Sequence, residues 1–310
     1  MSRLARYLLI FAFCALLTAL VLGLIFGRSL VRSLAVDNSF FGRLDNIFSQ
    51  EKPATIEARP EKTVRLIEGW TSRDIGQYLE GQGIWQSEEF LEAAGFPRVD
   101  YSQEKEMPQP LDFSDDFSFL EDKPKNRGLE GYLYPDTYRV YAASSTPADL
   151  IEKMLLNFDK HLTTQMRADI AKQGKTIYEI ITMASLLEKE APINYANGDN
   201  NDARIISGIF WDRIKAGQAL QSCASLAYIL GVNKVQYSAE DTQIESEYNT
   251  YKYRGLPPGP ISNPGILAIE AAIYPISTNY NYFLTPAGSK EIIYATTYEE
   301  HLLNKNKYLP

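Results

Sequence analysis

The hydrophobic positions of the chain fall into one long uncharged run followed by shorter periodic segments. Residues 7–27 carry no charged side chain, and a helix of that length can cross a bilayer. Arg28 and Arg32 follow, where a cleaved signal peptide would have its cleavage site. We therefore expect a cytoplasmic tail at residues 1–6, an uncleaved transmembrane anchor at 7–27 and a juxtamembrane spacer at 28–60. A cleaved signal peptide is the alternative.

The next apolar positions predict a small mixed module at residues 61–96. Val64 and Leu66 alternate as in a strand, and Ile75 and Leu79 recur at helical spacing before glycines 81 and 83. A second helix is predicted over residues 87–94, with Ser87 as its N-cap. This βαα order resembles a LysM-like cell-wall-binding domain. A packing module without a ligand fits the pattern as well.

The rest of the chain predicts a connector and a mainly helical domain. Residues 97–128 are rich in charge and proline and lack periodicity, which is typical of a connector. Residues 129–310 show helical segments and one short β-hairpin, with strands near 282–284 and 292–294. The predicted fold class is α+β: a LysM-like βαα module, then a mainly helical domain with a hairpin, behind one transmembrane helix.

One predicted helix carries two glutamates near its end. Thr176 and Glu179 form a capping box, and Pro192 ends the helix at about residue 191. At about 100° per residue, Glu188 falls inside the apolar arc, whereas Glu190 falls roughly opposite, beside Glu179. The spacing therefore predicts unlike surroundings for the two carboxylates.

A carboxylate on an apolar face loses hydration, which raises its pKa and keeps its proton available for general-acid chemistry. Glu188 is accordingly the candidate acid, and Glu190 serves as its comparison. The alternative is that Glu188 pairs with Arg204 or Arg213 and only ties two helices together.

Composition excludes several other function classes. The net charge of -8 and the lack of basic runs argue against a nucleic-acid partner. Cys14 lies in the apolar run and Cys223 far from it, so no disulfide is expected. His161 and His301 have no metal-ligand spacing, and neither adjoins a serine or cysteine motif. We expect no metal or cofactor.

Four motifs carry a family resemblance over most of the chain. They are LEGYLYPDTY at 129–138, ASLLEKEA at 184–191, LQS at 220–222 and YNTYKYRGLPPGPISNPG at 248–265. Together with the N-terminal anchor and EEHLLN at 299–304, they resemble the YceG-like family of endolytic murein transglycosylases.

The resemblance implies a lyase that cleaves the β-1,4 bond between N-acetylmuramic acid and N-acetylglucosamine in nascent glycan strands and leaves a 1,6-anhydro end. Such an enzyme could terminate glycan elongation. One carboxylate suffices, since the C6 hydroxyl of the sugar replaces water, and the segment similar to SLLEKE assigns this role to Glu188. The resemblance also implies an inner-membrane location with the catalytic domain outside the cytoplasm, and penicillin-binding synthases as partners.

Candidate substrate-binding residues are polar or aromatic groups within the same motifs. Aromatic rings stack on sugar faces, and amides can recognise N-acetyl groups. The alternative is that the tyrosines only pack a loop. Asn263 is also expected to be the N-cap of the next helix, with Pro264 in its first turn. The candidates are Gln221, Tyr248, Asn249, Tyr251 and Asn263.

The chain departs from the family pattern after LQS. Cys223 and Ala224 stand where the family usually has Asp-Pro. The loss of a carboxylate leaves two alternatives open: a membrane-anchored wall-binding scaffold with a decayed site, and a hydrolytic muramidase. Outside these motifs, Asp136 is interpreted as a turn residue, and His301 is expected to make a structural hydrogen bond.

Overall fold

The computed structural model describes residues 61–141, 144–234, 236–286, 289 and 291–309, all within a compact unit that spans Arg59–Pro310. The predicted tail, anchor and spacer at residues 1–60 lie outside the described residues. Among the residues that are described, no helix has both the length and the apolar character needed to cross a membrane.

The first segments form a strand and two helices, as the periodicity predicts. They are β1 at Glu61–Arg65, α1 at Ser72–Gly81 and α2 at Ser87–Ala94. A capping box of Thr71 and Asp74 opens α1. The prediction of Ser87 as an N-cap is wrong, because Gln86 has the extended backbone of the cap and Ser87 is already helical.

The strand β1 pairs with a partner strand that the periodicity does not predict. This partner, β2 at Thr137–Tyr141, runs antiparallel to β1 with Val64 opposite Tyr138. The order is therefore strand, helix, helix, strand, and the sheet joins segments that had been predicted to lie in separate units.

The predicted connector at residues 97–128 contributes to the hydrophobic core. It contains a short 3-10 turn at Ser118–Leu120, and Phe119 is buried there. The ring of Phe119 lies 4.7 Å from that of Phe158 and 5.9 Å from that of Tyr132. Such aromatic pairs each add about 0.5–1.5 kcal/mol beyond burial, so this irregular segment is fixed by packing.

The remaining described elements are mainly helical. A single helix, α5, lies at the centre, where it packs against α4, α6, α7 and α8. Its predicted capping box is confirmed, since Thr176 Oγ1 accepts from the Glu179 amide and Glu179 accepts from the Thr176 amide. The elements are α3 at Pro147–His161, α4 at Thr164–Lys172, α5 at Ile177–Glu190, α6 at Asn201–Lys215, α7 at Cys223–Leu230, α8 at Ile266–Ile273, β3 at Tyr282–Leu284, β4 at Ile293–Ala295 and α9 at Tyr298–Tyr308.

The predicted hairpin is confirmed, as β3 and β4 pair antiparallel with Phe283 opposite Tyr294. The expected hydrogen bond of His301 is wrong. Its Nδ1 is buried without a partner among the described residues, and its ring stacks on Tyr282 at 5.2 Å. Asp136 lies at a bend directly before β2, where its carbonyl accepts from the Leu66 amide and its side chain from the Thr137 amide.

The helix predicted after Asn263 begins later than expected. Gly265 is the N-cap of α8, and Asn263 is buried two residues earlier with its side chain turned to other segments. The described residues are α+β, with mostly helices and two small sheets, which agrees with the α+β class that was predicted.

Candidate active site

The two carboxylates in the last turn of α5 lie in different surroundings. Glu188 and Glu190 are both half-buried. Burial is the largest cause that raises the pKa of each carboxyl group above its ordinary value. Desolvation therefore does not distinguish the two glutamates. The difference between them lies in the residues that each carboxylate contacts.

Glu188 lies where three segments meet. Its Oε2 accepts hydrogen bonds from the Tyr195 hydroxyl at 2.5 Å and the Gly265 amide at 3.0 Å. Gly69 covers it from the first module, because a Cβ there would lie 3.3 Å from Glu188 Cγ. A Cβ on Gly265 would lie 2.5 Å from the Tyr195 hydroxyl, so only glycine allows this close approach.

The alternative in which Glu188 pairs with an arginine is wrong. Arg204 donates to the Tyr274 carbonyl, and Arg213 donates to the carbonyls of Leu220 and Asn281. None of the ion pairs found within the described part of the chain includes Glu188.

Glu190 lies at the N-terminus of α7. Its Oε1 accepts from the Ser222 hydroxyl at 2.5 Å and from the Ala224 amide at 3.0 Å. The first turn of α7 has no acidic side chain of its own. Glu190 thus supplies the negative charge that the amides and dipole of a helix N-terminus favour.

Glu190 lies on the same side of α5 as Glu179, as the helical wheel predicts, but this side is not open to solvent at Glu190. Glu179 is exposed, whereas the Glu190 carboxylate is covered by α7. A helical wheel treats the helix as isolated. At this end, the packing of α7 buries a side of α5 that is open near its start.

Two of the family-like motifs are hydrogen-bonded to each other beside Glu190. The Gln221 amide donates to the Thr250 carbonyl at 3.0 Å, and the Ser222 amide donates to Thr250 Oγ1 at 3.0 Å. Cys223 Sγ lies 3.1 Å from the Tyr251 hydroxyl. The segments LQS and YNTY therefore converge on Glu190.

The turn at Gln221 has a strained backbone and is held in place by a hydrogen bond from Arg213. Gln221 has a φ of 53°, which is unusual for a residue other than glycine. The preceding Leu220 carbonyl is fixed by the buried Arg213 through Nη1 at 2.5 Å. The Gln221 side chain is exposed at this turn, next to Ser222. The role of Arg213 was missed because nothing in its sequence context points to Leu220.

Three other candidate residues, Tyr248, Asn249 and Asn263, are buried inside the protein. Tyr248 is buried and packs on Tyr228 with ring centres 5.2 Å apart. Asn249 is buried, and its amide donates to the carbonyls of Thr242 and Ile244. These contacts give Asn249 a loop-positioning role in place of the predicted contact with substrate.

Asn263 likewise holds segments together in place of its predicted contact with substrate. Its Oδ1 accepts from the amides of Gly131 at 2.8 Å and Leu133 at 3.0 Å. Its Nδ2 donates to the Trp70 carbonyl and to Glu130 Oε1, each at 3.0 Å. All four hydrogen-bonding positions of this amide are occupied.

Glu130 is a buried carboxyl group that was not among the predicted site residues. It accepts from the Ser72 amide and the Ser72 hydroxyl at 2.8 Å each, at the start of α1. Burial raises the pKa of Glu130 to about 7, although its hydrogen bonds partly oppose the shift. Its position before Gly131, in an apolar motif, is the signal that could have identified it.

The Cys-Ala departure changes which donors reach Glu190. A proline at position 224 would have no amide hydrogen to donate, whereas Ala224 donates one to Glu190. The departure thus removes one carboxylate and adds one amide donor. Among the described residues, no group of three His, Cys, Asp or Glu side chains is placed to hold a metal ion.

Comparisons with known proteins agree with these motifs. The sequence profile of the YceG-like family matches residues 44–307. A protein of Bacillus subtilis (strain 168) named endolytic murein transglycosylase is 35% identical over 181 residues, 58% of this chain. A protein of the same name from Streptococcus pneumoniae (serotype 2, strain D39) is 35% identical over 178 residues, 56% of this chain.

A solved structure is also similar. A yceG-like protein of Listeria monocytogenes aligns with a TM-score of 0.63 and 31% identity, covering 78% of this chain and 75% of that one. The match to the two named relatives covers only 48% and 31% of their own lengths.

Proposed function

The chain belongs to the YceG-like family, and from this premise we propose that it is a lytic transglycosylase of peptidoglycan. It cleaves the β-1,4 bond between N-acetylmuramic acid and N-acetylglucosamine in nascent strands and leaves a 1,6-anhydro end. The name shared by two relatives at 35% identity supports this activity.

One observation carries the assignment of the site. The LQS and YNTY segments, which are distant in sequence, are bonded to each other around Glu190. We assign the general acid to Glu190, and this departs from the expectation of Glu188. Glu188 bonds neither LQS nor the YNTY end of the 248–265 motif in the described residues; it joins Tyr195 and Gly265, the last residue of that motif.

The hydrogen bonds of Glu190 indicate which oxygen transfers the proton. Oε1 accepts from Ser222 and Ala224, so it is held as an acceptor. The proton therefore resides on Oε2, which donates it to the leaving glycosidic oxygen as the bond to C1 breaks. The C6 oxygen then bonds to C1, and its proton passes to Oε2, which restores the acid.

The surroundings of Glu190 suit both protonation states. Burial favours the neutral acid before cleavage, whereas the amides of α7 stabilise the carboxylate formed during it. Gln221 binds a substrate acetamide from its exposed turn. The half-buried Tyr251 offers its ring to a sugar face, and Ser222 positions Glu190.

Location and domain roles are part of the same proposal. Residues 7–27 anchor the protein in the cell membrane, and the unit that contains Glu190 lies outside the cytoplasm. Residues 61–96 act as a LysM-like glycan contact, and residues 129–310 as the catalytic domain. Penicillin-binding synthases supply nascent strands, whose elongation this cleavage terminates.

Mass spectrometry of digested glycan strands tests the proposal. The purified chain is incubated with uncrosslinked strands, and anhydro-ended fragments are expected. Reducing-end products would instead identify a hydrolytic muramidase. Binding to strands without any turnover would identify a scaffold whose site has decayed.

A further inference from the structure

Arg213 is a buried arginine in the last turn of α6. Its Nη1 donates to the Leu220 carbonyl at 2.5 Å, and its Nη2 donates to the Asn281 carbonyl at 2.6 Å. None of the ion pairs found among the described residues includes it. Burying a charge is costly unless other groups compensate for it, so the surroundings of Arg213 have to supply that compensation.

The first of these bonds holds the turn that leads to the candidate acid. Leu220 begins the LQS segment, and Ser222, two residues later, donates its hydroxyl to Glu190 at 2.5 Å. Gln221 lies between them with its φ of 53°. A strained backbone persists only where its surroundings fix it. The bond from Arg213 is therefore one of the contacts that keep Ser222 against Glu190.

The second bond ties the same arginine to the β-hairpin. Asn281 directly precedes β3, and the guanidinium lies 5.7 Å from the centre of the Tyr282 ring, at the first residue of β3. Arginine donates its hydrogen bonds in a planar fork that the ammonium group of lysine does not reproduce. One side chain thus connects α6, the LQS turn and the hairpin.

The charge of Arg213 also acts on Glu190. Burial is the largest cause that raises the pKa of Glu190, and the bonds from Ser222 and the first amides of α7, together with the charge of Arg213, oppose this rise. Burial in turn lowers the pKa of Arg213, and Tyr282 and Glu190 are among the groups that oppose that change. The two charges attract each other without direct contact, in surroundings where water screens them weakly.

Three other titratable groups interact electrostatically with Glu190. Burial is the largest cause that raises the pKa of each above its ordinary value, so all three stay neutral below about pH 8. They are Cys223 in α7, Tyr237, and Tyr251 in the YNTY segment.

His301 on α9 is the titratable group that faces Arg213. Its ring lies 5.2 Å from the centre of Tyr282, the ring that the guanidinium also approaches. Burial lowers the pKa of His301, and the charges of Lys305 and Arg213 lower it further. The effect of His301 on a pH profile therefore has to be separated from that of Glu190.

We propose that Arg213 is the positioning residue of the candidate acid. It holds the turn that places Ser222 against Glu190, and its positive charge favours the carboxylate that forms as the glycosidic bond breaks. The proposal rests on the proposed function, in which Glu190 is the acid. Loss of this charge should slow the reaction and keep Glu190 protonated to a higher pH.

The test is the pH dependence of kcat and KM for anhydro-ended products, measured with the full chain in detergent. The kcat of the wild type should fall on the alkaline side as Glu190 loses its proton. Arg213→Gln keeps an amide donor but removes the charge. It should lower kcat about tenfold or more with KM nearly unchanged, and move the alkaline limb up by roughly half a pH unit or more.

Matched variants separate charge from packing. Arg213→Lys keeps the charge and loses the fork, so it should lower kcat less and leave the alkaline limb at the pH of the wild type. Arg204→Gln is the control, because Arg204 lies on the same helix but donates to the Tyr274 carbonyl at 2.8 Å instead of to the LQS turn. This variant and His301→Gln should both keep the alkaline limb of the wild type.

A titration without substrate gives the same comparison. The chain is labelled with ¹³C at the glutamate carboxyl carbon, and the signal of Glu190 is identified by its loss in Glu190→Gln. The measured pKa of Glu190 should be higher in Arg213→Gln than in the wild type and unchanged in Arg213→Lys.

An equal pKa of Glu190 in Arg213→Gln and the wild type, or an equal shift of the limb in Arg204→Gln, would overturn the proposal. So would a reduced kcat in Arg213→Gln with an unmoved limb, since a purely structural role predicts that result. If Arg213→Gln does not fold, a shifted limb in Arg213→Lys would overturn it. No anhydro-ended product from the wild type, with the pKa difference intact, would overturn the proposed function instead.

Discussion

At the scale of single residues, three carboxyl groups lie away from bulk solvent, each with different hydrogen-bond partners. Glu190 faces a helix N-terminus, Glu188 faces a tyrosine and a glycine amide, and Glu130 faces Ser72 and Asn263. The sequence could show that Glu188 and Glu190 differ. It could not show which one meets the LQS and YNTY segments, because that depends on the placement of α7.

Glu130 makes the stability of the protein depend on pH. Its pKa is about 7 in the folded chain, above the ordinary 4.5 expected once unfolded. The folded state therefore holds the proton more tightly, and stability is lost as pH rises from about 4.5 to 7. Each pH unit in that window lowers the free energy of unfolding by about 1.4 kcal/mol, so the total loss is about 3 kcal/mol.

We predict that Glu130→Gln reduces this loss, as measured by urea unfolding between pH 5 and pH 8. The same substitution at exposed Glu121 should leave the pH dependence of the wild type unchanged. An unaltered decline in the Glu130→Gln variant would show that another group is responsible.

At the scale of elements, local signals predicted helix starts well where a side chain caps its own helix. The capping box of α5 is an example, since both partners lie within four residues. Ser87 and Asn263 were misplaced for a common reason. A serine or asparagine before an apolar run resembles a cap, yet Asn263 bonds Gly131 and Glu130 from distant segments.

The cap of α5 gives a direct prediction. Thr176→Ala removes the hydroxyl that accepts from the Glu179 amide and should lower the free energy of unfolding by about 1 kcal/mol. Ser87→Ala should cost less than Thr176→Ala, because the Ser87 side chain caps no amide and alanine is the better helix former inside a helix. Equal losses in denaturant titrations of the two variants would contradict this difference.

At the scale of the whole molecule, the module predicted at residues 61–96 and the domain predicted at residues 129–310 are joined in one unit. The strand β1 pairs with β2, and Glu130 and Asn263 connect α1 to the segment before α8. Separate segments and the fold class could be predicted from periodicity. The β1–β2 pair could not, because it joins residues over 70 apart and TYRVY is only five residues long.

This connection predicts one cooperative unfolding transition. Val64 is fully buried in β1, so Val64→Ala should destabilise the unit by roughly 2 kcal/mol and shift the whole transition. Far-ultraviolet circular dichroism and tryptophan fluorescence should move together. Ile67→Ala, at a position 43% exposed, should shift it far less. An early fluorescence change with intact helical signal would mean that the first module unfolds separately.

The central claim is that Glu190, and not Glu188, is the acid. It is tested most directly by measuring anhydro-ended products from uncrosslinked strands with Glu190→Gln and Glu188→Gln, each checked for an unchanged circular dichroism spectrum. General acids contribute about 10²–10⁴-fold, so Glu190→Gln should lower kcat by at least about 100-fold. Glu188→Gln should retain most of the turnover. Loss of turnover in Glu188→Gln with retention in Glu190→Gln would contradict the assignment and return the role of acid to Glu188.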